Sequence, residues 1–177
     1  GVQTCALPIS NGGPGGTLSG TVTLAATNGV ATFSGLSIDT AGTGYTLTAA
    51  SSGLTGATSS AFSISAGSAT KVVFTTQPGG GASGVSWATQ PVVTVQDANG
   101  NTVTASTASI TLAIGTNGGP GGTLSGTVTL AATNGVATFS GLSIDRAGTG
   151  YTLTAASSGL TGATSSAFSI SRSEEHT

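Results

Sequence analysis

Along residues 66–171, apolar side chains recur at every second position in short runs, with Gly, Asn, Asp or Pro standing between the runs. Successive side chains of a strand point to opposite faces, so each run predicts a half-buried strand. Lys71–Thr76 (KVVFTT) is rich in β-formers and stops before Pro78. Pro91–Asp97 (PVVTVQD) sets Val93 and Val95 on one face. Ala108–Ile114 (ASITLAI) sets Ile110, Leu112 and Ile114 on one face and Ser109, Thr111 and Ala113 on the other. Val128 and Leu130, then Val136–Ser140, Leu142 and Ile144 continue the pattern, followed by Tyr151, Leu153 and Ala155, and by Phe168 and Ile170. The tally is about seven strands with regular turn signals, the pattern of a two-sheet sandwich. No window carries a 3.6-residue apolar period with caps, so no helix is predicted.

The turn residues agree with this reading. Asn134-Gly135, and Asn28-Gly29 before it, stand between alternating runs. Both residue types tolerate the positive φ of a type I′ turn, so each pair predicts a two-residue hairpin. Asp97–Asn101 (DANGN) predicts a turn centred on Asn99-Gly100. Gly79–Gly84 and Asn117–Gly122 (NGGPGG) read as loops.

The chain repeats itself. Residues 11–65 and 117–171 are one 55-residue segment, differing only at Thr40 against Arg146. The shift of 106 positions suits one sandwich domain and is too long for a solenoid repeat. Residues 66–171 form a complete period; residues 11–65 lack the counterparts of 66–116 and form the C-terminal half of another. The apolar face of that half (Val22, Leu24, Phe33, Tyr45, Leu47 and Phe62) is therefore expected to be poorly covered. Identical neighbours can also exchange strands.

In Asp145-Arg-Ala-Gly-Thr-Gly-Tyr151-Thr-Leu153, an Asp and small residues precede Tyr-x-Leu. The segment resembles the tyrosine corner of Ig-like domains, in which a Tyr hydroxyl returns to the backbone; Tyr45 repeats it. QPVVTVQDANGNTVT followed by NGVATFSGLSIDRAGTGYTLTA resembles a bacterial Ig-like repeat of the invasin/intimin sort. The resemblance implies an all-β fold: an Ig-like Greek-key β-sandwich, one complete domain plus a truncated copy. It further implies a structural spacer in an adhesin-like bacterial protein, extracellular or at the cell surface, whose partners are neighbouring repeats. Ligand contacts in such proteins often belong to terminal modules, so host or cell-surface proteins or glycans would be met through other domains. The alternatives are a glycan- or protein-binding module and an accessory domain of a larger secreted enzyme.

The ends read differently from the repeat. Residues 1–10 (GVQTCALPIS) and 172–177 (RSEEHT) resemble translated sequencing-adapter sequence, and RSEEHT back-translates as AGATCGGAAGAGCACACG. They are read as non-native tails and set apart from the fold. Cys5 and His176, the only Cys and His, lie in them, as do Arg172, Glu174 and Glu175.

Composition then narrows the chemistry. Charged residues make up 5% of the chain, and between the tails they are Lys71, Arg146, Asp39, Asp97 and Asp145. With no basic patch, nucleic acid is not an expected partner. No apolar run approaches the ~18–20 residues of a membrane-spanning helix, so no membrane insertion is expected. Between the tails there is no His or Cys for a hydrolytic triad, and no enzyme, cofactor or metal is expected. Asp97-Ala-Asn99-Gly-Asn101 shares the spacing of a calcium-loop start but lacks the later Glu, so the turn reading is preferred. Asp39 and Asp145 are too scattered for an oxygen cage. Lys71 lacks a Glu helper for an isopeptide bond. Trp87, the only tryptophan, is the one candidate ligand contact; packing at the end of the sandwich is preferred for it.

Overall fold

The computed structural model describes residues 4–6, 9–11, 15–119 and 121–173. The chain is all-β, with no helix among the described residues, and divides into two compact units, Gly1–Ala66 and Gly67–Thr177. Glu174, Glu175 and His176 lie outside the described residues.

Unit 1 contains β1 (Thr4–Ala6), β2 (Ile9–Asn11), β3 (Leu18–Ser19), β4 (Thr23–Ala25), β5 (Ser37–Ile38), β6 (Gly42–Ser51), β7 (Ala57–Thr58) and β8 (Phe62–Ile64). β6 is its spine: β1, β2, β7 and β8 all pair with it antiparallel, and β4 joins through β1. β3 and β5 form a separate pair.

Unit 2 contains β9 (Lys71–Thr76), β10 (Gly81–Ala82), β11 (Val92–Gln96), β12 (Ser109–Ile114), β13 (Leu124–Ser125), β14 (Thr129–Ala131), β15 (Val136–Thr138), β16 (Ser143–Ile144), β17 (Gly148–Tyr151), β18 (Leu153–Ala156), β19 (Ala163–Thr164) and β20 (Phe168–Ser171). Its sheets run β15-β11-β9, β14-β12-β18-β19, β10-β20-β17 and β13-β16. All pairs are antiparallel except β10 with β20. The arrangement is sandwich-like. There are more elements than the seven runs expected, because some runs change partner midway. The run from Gly148 to Ala156 pairs first with β20 and then, past Thr152, with β12 and β19.

The inward positions of these runs make one buried cluster in unit 2. Val72, Val93, Val95, Ile110, Phe139, Leu142, Ile144, Tyr151 and Leu153 are fully buried in it. Alternation explains the pattern: β12 reads exposed, buried, exposed, buried from Ser109 to Leu112.

Unit 1 has the same side chains with less cover. Phe33, Leu36, Ile38, Leu47 and Phe62 are only half-buried, as are Val22 and Leu24. Tyr45 departs from the expected poor cover and is fully buried, since its hydroxyl donates to Gly15 O and Thr40 O, each at 3.0 Å, and its ring lies 6.1 Å from Phe62.

Secondary structure differs as well. Val136–Thr138 is a strand because β11 pairs with it, whereas of the counterpart residues 30–32 only Val30 pairs, through its hairpin bridge to Thr27.

The N-terminal residues need a correction. Read as lying outside the fold, they supply β1 and β2. Cys5 sits opposite Leu24, as Ile110 sits opposite Leu130; Ile9 sits opposite Leu47, as Ile114 sits opposite Leu153. Cys5 and Ile9 thus stand where Ile110 and Ile114 stand in unit 2, one residue out of step with the 106-residue repeat. The edges of β4 and β6 present unpaired backbone groups that accept an extended segment of suitable alternation, whatever its origin.

Candidate functional site

The Asn-Gly hairpins form in both units. Asn28 and Gly29 have φ of 51° and 76°, and Asn134 and Gly135 have 51° and 75°. Thr27 and Val30 exchange both backbone hydrogen bonds, as do Thr133 and Val136. Positive φ at both central residues is the type I′ requirement. The DANGN turn lies one residue earlier than expected: Gly100 N donates to Asp97 O, so Ala98 and Asn99 are central. Gly100 follows at φ 91°, while Asn99 is not left-handed. This is a type I turn closed by a left-handed glycine, not an Asn-Gly type I′ turn.

The Tyr151 hydroxyl donates to Arg146 O at 3.0 Å, matching Tyr45 to Thr40 O. Asp145 accepts from Thr123 N at 2.7 Å, as Asp39 does from Thr17 N at 2.8 Å. The Thr17 amide, helped by the Thr40 hydroxyl, holds the Asp39 carboxyl below its ordinary range. These two aspartates thus anchor loops locally, and among the described residues no three His, Cys, Asp or Glu side chains gather for a metal.

Asp97 is the most engaged carboxylate. It is 3% exposed and accepts from Gly67 N and Asn101 N at 2.8 Å and from Asn101 Nδ2 at 2.9 Å. Its oxygens are thereby committed to protein donors, and it ties Gly67, the first residue of unit 2, to the turn. The Asn101 side chain lowers its pKa most; burial opposes this, and the Gly67, Asn101 and Asn99 amides add to the lowering, leaving it at about 2 against an ordinary 3.8. A carboxyl with a depressed folded pKa stabilises the fold above its unfolded value and loses that contribution as pH falls through the folded one. Unit 2 is therefore expected to lose stability progressively between pH 3.8 and about 2. Asp97→Asn should flatten that slope and lower the denaturation midpoint at neutral pH. Denaturation followed by Trp87 fluorescence across this range checks both effects; an unchanged slope in the variant would count against the clamp.

Trp87 offers no face to a ligand. It is 3% exposed, and its ring meets Phe168 edge-on with centroids 5.1 Å apart. Its amide donates to Leu142 O at 3.1 Å. Gln90, which the sequence pattern did not single out, locks it in place. The Gln90 carboxamide donates to Trp87 O and Leu142 O and accepts from Leu142 N. Gln77 is a second unanticipated tie, accepting from Ser166 N at 2.9 Å. A long amide side chain in a stretch of small residues was the only cue to either. Lys71 begins β9 opposite Gln96. Cys5 is a half-buried free thiol in unit 1. Arg172 is exposed.

Taken together these groups make anchors and turns within their own unit. Compared with known proteins, the chain matches no protein-family model and no curated sequence.

Proposed function

We propose that the chain belongs to a tandem array of Ig-like Greek-key sandwiches acting as a spacer in an adhesin-like bacterial protein, extracellular or at the cell surface. The observation that carries this reading is the 55-residue identity at a 106-residue shift, one copy of which is completed within unit 2 around a core of its own. A unit with its own core adds length without needing its neighbours' side chains. The Asp97 tie to Gly67 supports it, because it stiffens the start of the unit. With 5% charged residues, the surface exerts little electrostatic steering on partners. The glycan-binding alternative rested on Trp87, which is buried.

Arrays of one to four copies of the repeat 66–171 are expected to lengthen by a constant increment per copy in small-angle X-ray scattering. A maximum dimension that stops growing after two copies means that the repeats fold back on each other, and the spacer reading fails.

A further inference from the structure

Unit 1 carries an acceptor face whose complement is known from the same molecule. Two cavities open on it. The larger, about 440 Å³, is lined by Ala26, Ala31, Phe33, Ala49 and Leu54, with Cys5 at one side. In unit 2 their counterparts Ala132, Ala137, Phe139 and Ala155 are buried in the core, and Leu160 packs against it. The smaller, about 100 Å³, is lined by Leu36, Ile38, Leu47, Phe62 and Ile64 among others. Their counterparts Leu142, Ile144, Leu153, Phe168 and Ile170 are likewise core residues.

What covers these positions in unit 2 is the segment 67–108. Val92–Thr94 of β11 pair with Val136–Thr138, and Val95 N donates to Gly135 O at 2.8 Å. Val72 N donates to Thr161 O at 2.9 Å, and Gly84 N to Ile144 O at 2.8 Å. Trp87 packs on Phe168 and bonds Leu142 O, so it sits where the smaller cavity lies in unit 1. Every one of these receiving residues has an identical counterpart in unit 1. There Val30 is 62% exposed and Leu54 58%. A Cβ on Gly29 would meet nothing within 4 Å, whereas one on Gly135 would press on the Val103 carbonyl.

We infer that unit 1 is a strand acceptor for an extended segment with the sequence of residues 67–108. The contacts are those of β-strand addition: backbone hydrogen bonds to an open edge, with alternate apolar side chains in preformed pockets. The segment 67–108 of unit 2 is itself engaged with residues 136–138, so the test offers unit 1 a second copy of it. This inference stands or falls independently of the spacer reading, since it concerns the affinity of one face and not the extension of an array.

The test uses the full 177-residue chain and a synthetic peptide of residues 67–108 labelled at its N-terminus, followed by fluorescence anisotropy. Saturable binding with one peptide per chain is expected. A peptide carrying Val93→Asp and Val95→Asp should bind at least ~10-fold more weakly, since each aspartate would enter an apolar pocket without a partner. Ala31→Arg, whose side chain projects into the larger cavity, should weaken binding of the unaltered peptide by a similar factor and leave Trp87 emission unchanged. Absence of saturable binding overturns the inference. So does equal binding of the two peptides. Binding that Ala31→Arg leaves intact places the peptide elsewhere and also overturns it. Dimerisation of the chain that the peptide does not reverse would show that the face closes on a second unit 1, and rejects the donor segment.

Discussion

Phe139→Ala is expected to destabilise unit 2 by about 3–5 kcal/mol, the range for removing a buried phenylalanine from a packed core. Phe139 is 1% exposed and lies in the buried cluster. The same substitution at Phe33, in an identical stretch of sequence, is expected to leave unit 2 untouched. Phe33 is half-buried and lines the open cavity of unit 1, so its removal costs unit 1 only roughly 1–2 kcal/mol of lost apolar cover. The measurement is clean because Trp87, the only tryptophan, lies in unit 2 and reports that unit alone. Chemical denaturation followed by its emission should shift for Phe139→Ala and not for Phe33→Ala. Equal shifts would mean that the two units unfold as one, contrary to the division of the chain into two compact units.

Trp87→Ala is expected to cost unit 2 a similar amount, about 3–5 kcal/mol, because it empties the buried space against Phe168. Circular dichroism replaces fluorescence as the probe for this variant. Trp87→Phe should lose less, since a smaller ring still meets Phe168. In the unaltered chain, acrylamide is expected to quench Trp87 poorly, and a panel of soluble glycans to leave its emission unchanged. A quenching constant typical of an exposed indole would contradict the packing and reopen Trp87 as a contact residue.

The first prediction depends on a comparison that the chain makes within itself. Two copies of one 55-residue segment share their sequence but not their surroundings. What they have in common is what local sequence decides. Asn28-Gly29 and Asn134-Gly135 turn with the same positive φ, because Asn and Gly tolerate that region and close neighbours supply the hydrogen bonds. Tyr45 and Tyr151 each reach the carbonyl five residues back. Ser59 and Ser165 each accept from the amide twelve residues back, Leu47 or Leu153, at 2.9 Å. The alternation in 109–114 likewise announced which side chains of β12 face inward. Short reach and strict period made these features legible.

The unanticipated features required distant chain. Asp97 reads as a turn residue, but its hold on Gly67 spans 30 positions, and no spacing rule reports that. Gln90 and Leu142 are 52 apart and Gln77 and Ser166 are 89 apart. The N-terminal residues read as foreign to the repeat, yet an open sheet edge pairs with any segment that alternates suitably, so Thr4–Ala6 and Ile9–Asn11 enter the sheet.

Strand runs, hairpins, tyrosine anchors and the repeat are all legible in the residues alone. Which copy owns a core is settled by what packs over it. Phe139, Leu142, Ile144 and Leu153 are buried, and their identical counterparts are not, because residues 67–108 lie over one copy and not the other. Even Val136–Thr138 is a strand only where β11 lies beside it. Burial and sheet pairing belong to pairs of segments, and a segment's own residues state only which face awaits a partner.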